Sequence, residues 1–150
     1  IEEFEKANLQ IVYLGWFLGD WSLINNGTYS ALNGLDLRDD HPFKSGDIYG
    51  LTALDEDWVS LNQMIKYLKF GFGRTTSDSA IDVRRGAMSR NQALELIKLY
   101  DNYCPEDLFD NYCDYYKMKK KDFLKNIDKW ANKKLFVKKR GRWEPYFKVI

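Results

Sequence analysis

Between residues 66 and 90 the chain gathers side chains that could bind or activate a charged substrate. They are Lys66, Lys69, Arg74, Thr76, Asp78, Asp82, Arg84, Arg85 and Arg90. The planar forks of the arginines suit phosphate or carboxylate, and the two lysines sit just upstream. Gly71 and Gly73 let a backbone approach a ligand closely, or take up positive φ. Asp78 and Asp82 could orient the arginines, bind Mg²⁺ or steer an amine nucleophile. The same composition also suits a surface connection whose Arg–Asp pairs contribute little. A Gly-x-Gly pair alone is a weak signal, and this one lacks the strand and third glycine of a dinucleotide fingerprint.

Two helices must position this stretch. Trp58, Leu61, Ile65, Leu68 and Phe72 recur at helical spacing and predict one apolar face that ends at Gly71 and Gly73. Downstream, Ser89 and Gln92 form the capping box of a second helix, with Ala93, Leu96, Ile97 and Tyr100 on its buried face. The roughly fifteen residues between them show no strong apolar period and read as a loop, and a loop that long in a domain is usually functional or disordered.

The run Lys69-Phe-Gly-Phe-Gly-Arg-Thr-Thr-Ser-Asp-Ser-Ala-Ile-Asp-Val-Arg-Arg-Gly-Ala-Met-Ser-Arg90 resembles the signature near the C-terminal end of bacterial N-acetyl sugar amidotransferases. That pattern reads K-[FY]-G-[FY]-[GA]-R-A-T-D-x-A-S-I-D-I-R-x-G-x-[IM]-[TS]-R. Lys69, Gly71, Arg74, Thr76, Ile81, Asp82, Arg84, Gly86 and Arg90 match it, while the acidic and hydroxyl positions are displaced across residues 76–80. The similarity runs from Val12-Tyr-Leu-Gly-Trp-Phe to the C-terminus. A fainter likeness to asparagine synthetases rests on Arg74, Thr76, Asp82 and Arg84, with Ala80 departing from their pattern.

The resemblance implies an ATP-pyrophosphatase (PP-loop) enzyme that uses ATP and Mg²⁺ to convert a sugar acetamido group to acetamidino, in lipopolysaccharide or other surface-glycan biosynthesis. Ammonia would come from a glutaminase partner, and the sugar would be nucleotide-activated. The implied site has Asp82 as the catalytic carboxylate. Lys66, Lys69, Gly71, Gly73, Arg74, Thr76, Arg84 and Arg90 would bind phosphate or substrate. The family's S-G-G-x-D-S phosphate loop and cysteine-rich zinc elements do not occur here, so no motif within the chain binds ATP, and the piece is expected to be inactive alone. The first residue is Ile1, which reads as a processed or excised piece.

The implied fold is mainly α, the helical C-terminal part of an α/β PP-loop enzyme. Residues 1–54 would end the α/β core, and 55–150 would form the helical region, with signature loop 69–90 and terminal hairpin 134–147. Within the first part, residues 2–8 read as a charged helix end and 10–15 as a short strand. A short helix capped by Asp20 or Ser22 would then run to Asn33-Gly34. Trp16, Phe17 and Trp21 could stack on a base or sugar, or pack in the core. Residues 35–49 read as a polar loop, and the acidic residues of 54–57 suit a helix start. Later helices are expected from Pro105 to about Tyr116 and over 119–132, the last with Phe123, Ile127 and Trp130 inward. A hairpin should turn at Arg140-Gly141.

At 150 residues and 45% apolar, the chain can bury a core. No apolar run approaches the ~18 residues of a membrane span, so a cytoplasmic protein without a membrane partner is expected. Cys104 and Cys113 could pair, or remain ordinary buried thiols, and the lone His41 offers no catalytic motif. Residues 117–150 carry 13 Lys/Arg against 3 Asp/Glu, a net of +10, whereas the preceding part nets −9. Three helices and a basic hairpin, with Lys138-Lys-Arg-Gly-Arg142 as wing, keep a nucleic-acid-binding winged helix open as the alternative, and a non-catalytic docking module is a third. The lysine-rich helix over 119–132 has few base-reading residues, which disfavours nucleic acid.

Overall fold

The computed structural model describes residues 2–19 and 21–150, with only the backbone of Trp16. It divides into two units, Ile1–Asp36 and Leu37–Ile150. The first contains α1 (Glu2–Lys6), a 3₁₀ turn (Leu14–Trp16) and α2 (Leu23–Leu32). The Ser22 hydroxyl caps α2 by accepting from Asn25 N–H at 2.9 Å. Asp20, the other expected cap, lies outside the described residues. The strand expected over 10–15 does not form. A strand needs a neighbour for its N–H and C=O groups, and the two-stranded hairpin near the C-terminus is the only sheet among the described residues. Phe17 and Trp21 are exposed rather than packed in a core.

The second unit runs α3 (Pro42–Ser45), α4 (Val59–Phe70), α5 (Arg74–Arg84), α6 (Arg90–Tyr100), α7 (Leu108–Tyr115), α8 (Lys120–Trp130), β1 (Phe136–Lys139) and β2 (Arg142–Pro145). The mainly helical architecture and the terminal hairpin are as the sequence predicts. Arg140 and Gly141 both take positive φ (48° and 84°), the geometry of a tight hairpin turn matched to strand twist. Leu61, Met64, Tyr67 and Leu68 of α4 form the centre of the core. Phe109 and Cys113 of α7, Phe123 of α8, Tyr103, Ala131 and Phe136 close around them. Burial of these side chains is the main stabilising term.

Several expected positions differ. Trp130 is 58% exposed and Phe72 43% exposed, each at the end of its predicted apolar stripe where the packed surface runs out. Both cysteines are free, and Cys104 is exposed while Cys113 is buried. The polar segment 35–49 holds the short α3, capped by His41 Nδ1 accepting from Phe43 N–H at 3.3 Å.

The largest difference is α5, which occupies most of the stretch expected to be a loop. Its periodicity is polar: Arg74, Asp78 and Asp82 follow at four-residue spacing, as do Thr75 and Ser79. Apolar patterning therefore misses it. Thr75 and Ser79 are fully buried, and Thr75 donates its hydroxyl to Gly46 C=O at 2.9 Å. The first turn has no local side-chain cap. Instead Asp101, at the C-cap of α6, reaches back to it. Its carboxylate accepts from Gly73 N–H (2.8 Å), Thr76 N–H (3.1 Å) and the Thr76 hydroxyl (2.6 Å). Asp101 is itself buried, so all three bonds are shielded from water.

Asp101→Ala should destabilise the domain by about 2–4 kcal/mol, because it strands buried donors at a helix start. Asp101→Asn, which keeps one carbonyl acceptor, should cost about half as much. Urea unfolding followed by circular dichroism measures both; equal stability of Asp101→Ala and the parent chain would contradict this capping role.

Candidate functional site

The side chains of the signature point in three directions. Arg74, Asp78 and Asp82 lie on the face of α5 that meets the segment 47–52. Arg74 Nη2 is 3.5 Å from Asp47 Oδ2, and Arg74 Nε is 3.6 Å from Asp78 Oδ2. The second distance is a charge contact rather than a hydrogen bond, and both atoms lie buried without a hydrogen-bond partner. Asp82 is buried and accepts from the Tyr49 hydroxyl. From α4, Lys66 Nζ donates to the Ser77 hydroxyl at 2.8 Å and to Gly73 C=O at 3.4 Å.

Asp47 organises the facing segment. Its Oδ1 accepts from Tyr49 N–H and Gly50 N–H, both at 3.0 Å, and its Oδ2 from Thr52 N–H (3.2 Å) and the Thr52 hydroxyl (2.8 Å). These bonds fold residues 47–52 into a tight turn that aims Tyr49 at Asp82. Burial acts to push the Asp47 carboxyl up, but the bonds from Tyr49 and Thr52 and the nearby Arg74 charge hold it below its ordinary value. Asp78 has the opposite balance. Burial pushes it up to about 6, Arg74 and Lys66 oppose this, and the Asp47 and Asp82 charges add to it. The Tyr49 phenol is also raised, by burial first and then by its bond to Asp82.

Two carboxylates, Asp47 and Asp78, therefore meet the Arg74 guanidinium, and burial together with the Asp47 and Asp82 charges raises Asp78 to about 6. Such a group can take or give a proton near neutrality, the property a general base or acid needs. Asp47 and Tyr49 are the members that sequence reading passes over. An Asx-type turn signal, Asp47 followed by Tyr49 and Gly50, was the available clue.

The remaining signature residues have other positions. Gly71 ends α4 at φ 82°, and a Cβ there would meet Leu135 Cδ1 at 3.2 Å, so its role is a helix stop. Gly73 comes close to Asp101, with Oδ1 2.7 Å from an added Cβ. Together with Thr76, its donors are engaged by Asp101, leaving no free cradle for a phosphate at this helix start. Lys69 Nζ sits over the rings of Phe70 and Trp130 instead of approaching Arg74. Arg84 and Arg85 are exposed at the end of α5, and neither forms an ion pair among the described residues. Arg90 is exposed and donates to Ile150 C=O at 2.9 Å. No group of three or more His, Cys, Asp or Glu side chains among the described residues is arranged to hold a metal ion.

Three hairpin cations of the winged-helix alternative have acidic neighbours. Lys138 pairs with Asp128 (2.6 Å), Lys139 with Glu144 (3.1 Å) and Arg142 with Glu106 (3.1 Å). A wing that grips phosphates needs those cations free, and only Arg140 of the basic tip lacks an ion pair among the described residues.

Compared with known families, residues 28–149 match the model of the LPS biosynthesis protein WbpG-like, C-terminal domain. The match covers most of the chain, and the chain belongs to that family. No curated protein matches it.

Because the folded-state value of Asp78 lies above its ordinary 3.8, folding favours its protonated form. The associated stability is fully present below pH ~4 and is lost as pH rises through about 6. Asp78→Asn removes the buried charge and should stabilise the domain at pH ~8 by about 1 kcal/mol after allowing for solvent screening, with little gain at pH ~4. Urea midpoints at the two pH values test this. A variant less stable than the parent at the higher pH would show that the Asp78 charge is needed by Arg74.

Proposed function

We propose that this WbpG-like C-terminal domain supplies part of the substrate site of an ATP-dependent amidotransferase in lipopolysaccharide biosynthesis. In this reading the acetamido oxygen of a nucleotide-carried sugar is adenylated by ATP with release of pyrophosphate and then leaves as AMP, displaced by ammonia from a glutaminase partner, which after loss of protons gives the acetamidino group. The observation that carries the reading is the buried face of α5, where Arg74, Asp78 and Asp82 meet Asp47 and Tyr49.

Ammonia gains a formal positive charge as it attacks carbon and must then lose protons. Asp78, poised at about 6, has the proton affinity to accept one near neutral pH. Asp82, held in place by the Tyr49 hydroxyl, is positioned on the same helix face to orient the incoming nitrogen. Arg74 restrains both the Asp47 turn and Asp78, which fixes the spacing of the carboxylates. Arg84, exposed at the end of the same helix and without an ion pair among the described residues, suits the anionic nucleotide portion of the substrate.

ATP, which with Mg²⁺ activates the amide oxygen in such a reaction, finds no open phosphate cradle at the start of α5. The donors at the start of α5 already bind Asp101, and no cluster among the described residues has metal-ligand geometry. Binding of the ATP phosphates is therefore assigned to other parts of the proposed enzyme, while Arg84 meets those of the sugar nucleotide.

Two outcomes are expected. The chain alone, given sugar nucleotide, ammonia and ATP, should release no pyrophosphate; robust turnover would place the catalytic loop within these residues. In the complete enzyme, Arg84→Lys keeps the charge but loses the planar fork, and kcat/KM should fall by about ten- to two-hundredfold. Lys120→Ala, which removes a surface pair with Asp110 and a contact over the Phe109 ring, should stay within about threefold. If Lys120→Ala abolishes activity while Arg84→Lys is silent, the functional surface is the basic C-terminal part and not α5.

A further inference from the structure

One surface of the Leu37–Ile150 unit has a composition that neither its core nor the α5 site explains. Phe70 and Trp130 are each 58% exposed and Phe72 is 43% exposed. The Phe70 and Phe72 rings lie 6.2 Å apart, and Lys69 Nζ bridges Phe70 and Trp130 at 5.4 and 5.6 Å from the ring centres. Lys66 Nζ lies 4.8 Å from the Phe72 ring centre, and Lys129 Nζ 5.4 Å from that of Trp130. These contacts link the three aromatics into one lysine-studded ridge. Large exposed apolar groups in contact with one another usually mark an interaction surface.

We infer that this ridge docks the protein on the surface of an anionic phospholipid bilayer. Charge complementarity supports that partner: the ridge includes part of the +10 segment 117–150, and neither Lys69 nor Lys129 forms an ion pair among the described residues. Lysines flanking Trp and Phe match the headgroup boundary, where aromatic side chains enter the apolar edge and ammonium groups reach lipid phosphates. Surface docking needs no spanning segment, and no helix among the described residues is long and apolar enough to cross a membrane.

Two other partners fit less well. Single-stranded nucleic acid stacks its bases on aromatic faces. Here each ring already has an ammonium group over it, and basic residues of the hairpin are paired with acids. Protein interfaces are depleted in lysine, yet every cation on this ridge is a lysine.

The test is co-sedimentation of the chain with phosphatidylcholine vesicles, with and without phosphatidylglycerol. Binding should require phosphatidylglycerol and weaken with salt. Lys129→Glu changes the local charge by two units and should lower partitioning by about thirtyfold, roughly fivefold per charge. Trp130→Ala should lower it by about tenfold. Lys44→Ala, on α3 and paired with Asp107 instead of with the ridge aromatics, should match the parent chain. Because the altered ridge side chains are exposed, unchanged circular dichroism and melting should accompany the loss. Brominated lipid should quench tryptophan fluorescence of the parent chain, and Trp130→Phe should lose most of that quenching while still sedimenting. Equal partitioning onto both vesicle types, or undiminished binding by both Lys129→Glu and Trp130→Ala, would overturn the inference. So would an anionic oligonucleotide that binds through the same residues while the vesicles do not.

Discussion

The contact on which the site depends is the carboxylate of Asp101 at the start of α5. A helix start leaves amide hydrogens unsatisfied, and the residue in the local cap position here is Gly73, which has no side chain to satisfy them. Asp101 provides the acceptor from the end of α6, binding Gly73 N–H, Thr76 N–H and the Thr76 hydroxyl at once. The dipoles of both helices bear on this placement: a carboxylate is disfavoured at the end of α6 and favoured at the start of α5. One buried charge thereby ties the two helices together and sets where Arg74, Asp78 and Asp82 emerge.

That arrangement assigns the polar residues of the signature to different tasks. Gly71 stops one helix, while Gly73 and Thr76 start the next. Arg74 and the carboxylates form the buried cluster, and Arg84 remains exposed. A motif that reads in sequence as one anion-binding loop is in three dimensions a helix with an internal anion at its head. Tyr49 and Asp47, from a segment with no apolar pattern, complete the cluster from the other side. The same logic limits the basic C-terminal part, where Lys138, Lys139 and Arg142 have acidic partners close at hand and, among the described residues, Lys69 and Lys129 around Trp130 do not.

Much of the helical frame was legible because its causes are local. The Leu61–Leu68 spacing, the Ser89–Gln92 capping box and the Arg140-Gly141 turn each act within a few residues. The strand expected at 10–15 failed because strand formation needs a pairing partner, which local propensity does not supply. The helix α5 was hidden because its repeating positions are charged or hydroxylated, so its burial is through Thr75, Ser79 and ion pairs rather than through an apolar stripe. Within the candidate cluster, Arg74, Asp78 and Asp82 stand out in sequence by residue type, whereas Asp47, Tyr49 and Asp101 join it only through tertiary contact. Asp101 did leave one trace in the sequence: an acid at a helix C-terminus is electrostatically misplaced unless something else needs it.

Asp101 closes the start of α5, and in the proposed function an anion meets this domain through Arg84. Amide and guanidinium NMR signals followed during titration with inorganic pyrophosphate test it most directly. The Arg84 Nε–H signal should move with added anion, while the amide signals of Gly73 and Thr76 stay in place. Saturable shifts of Gly73 and Thr76 with Arg84 unmoved would show that the anion displaces Asp101 and that the helix start is itself the binding site.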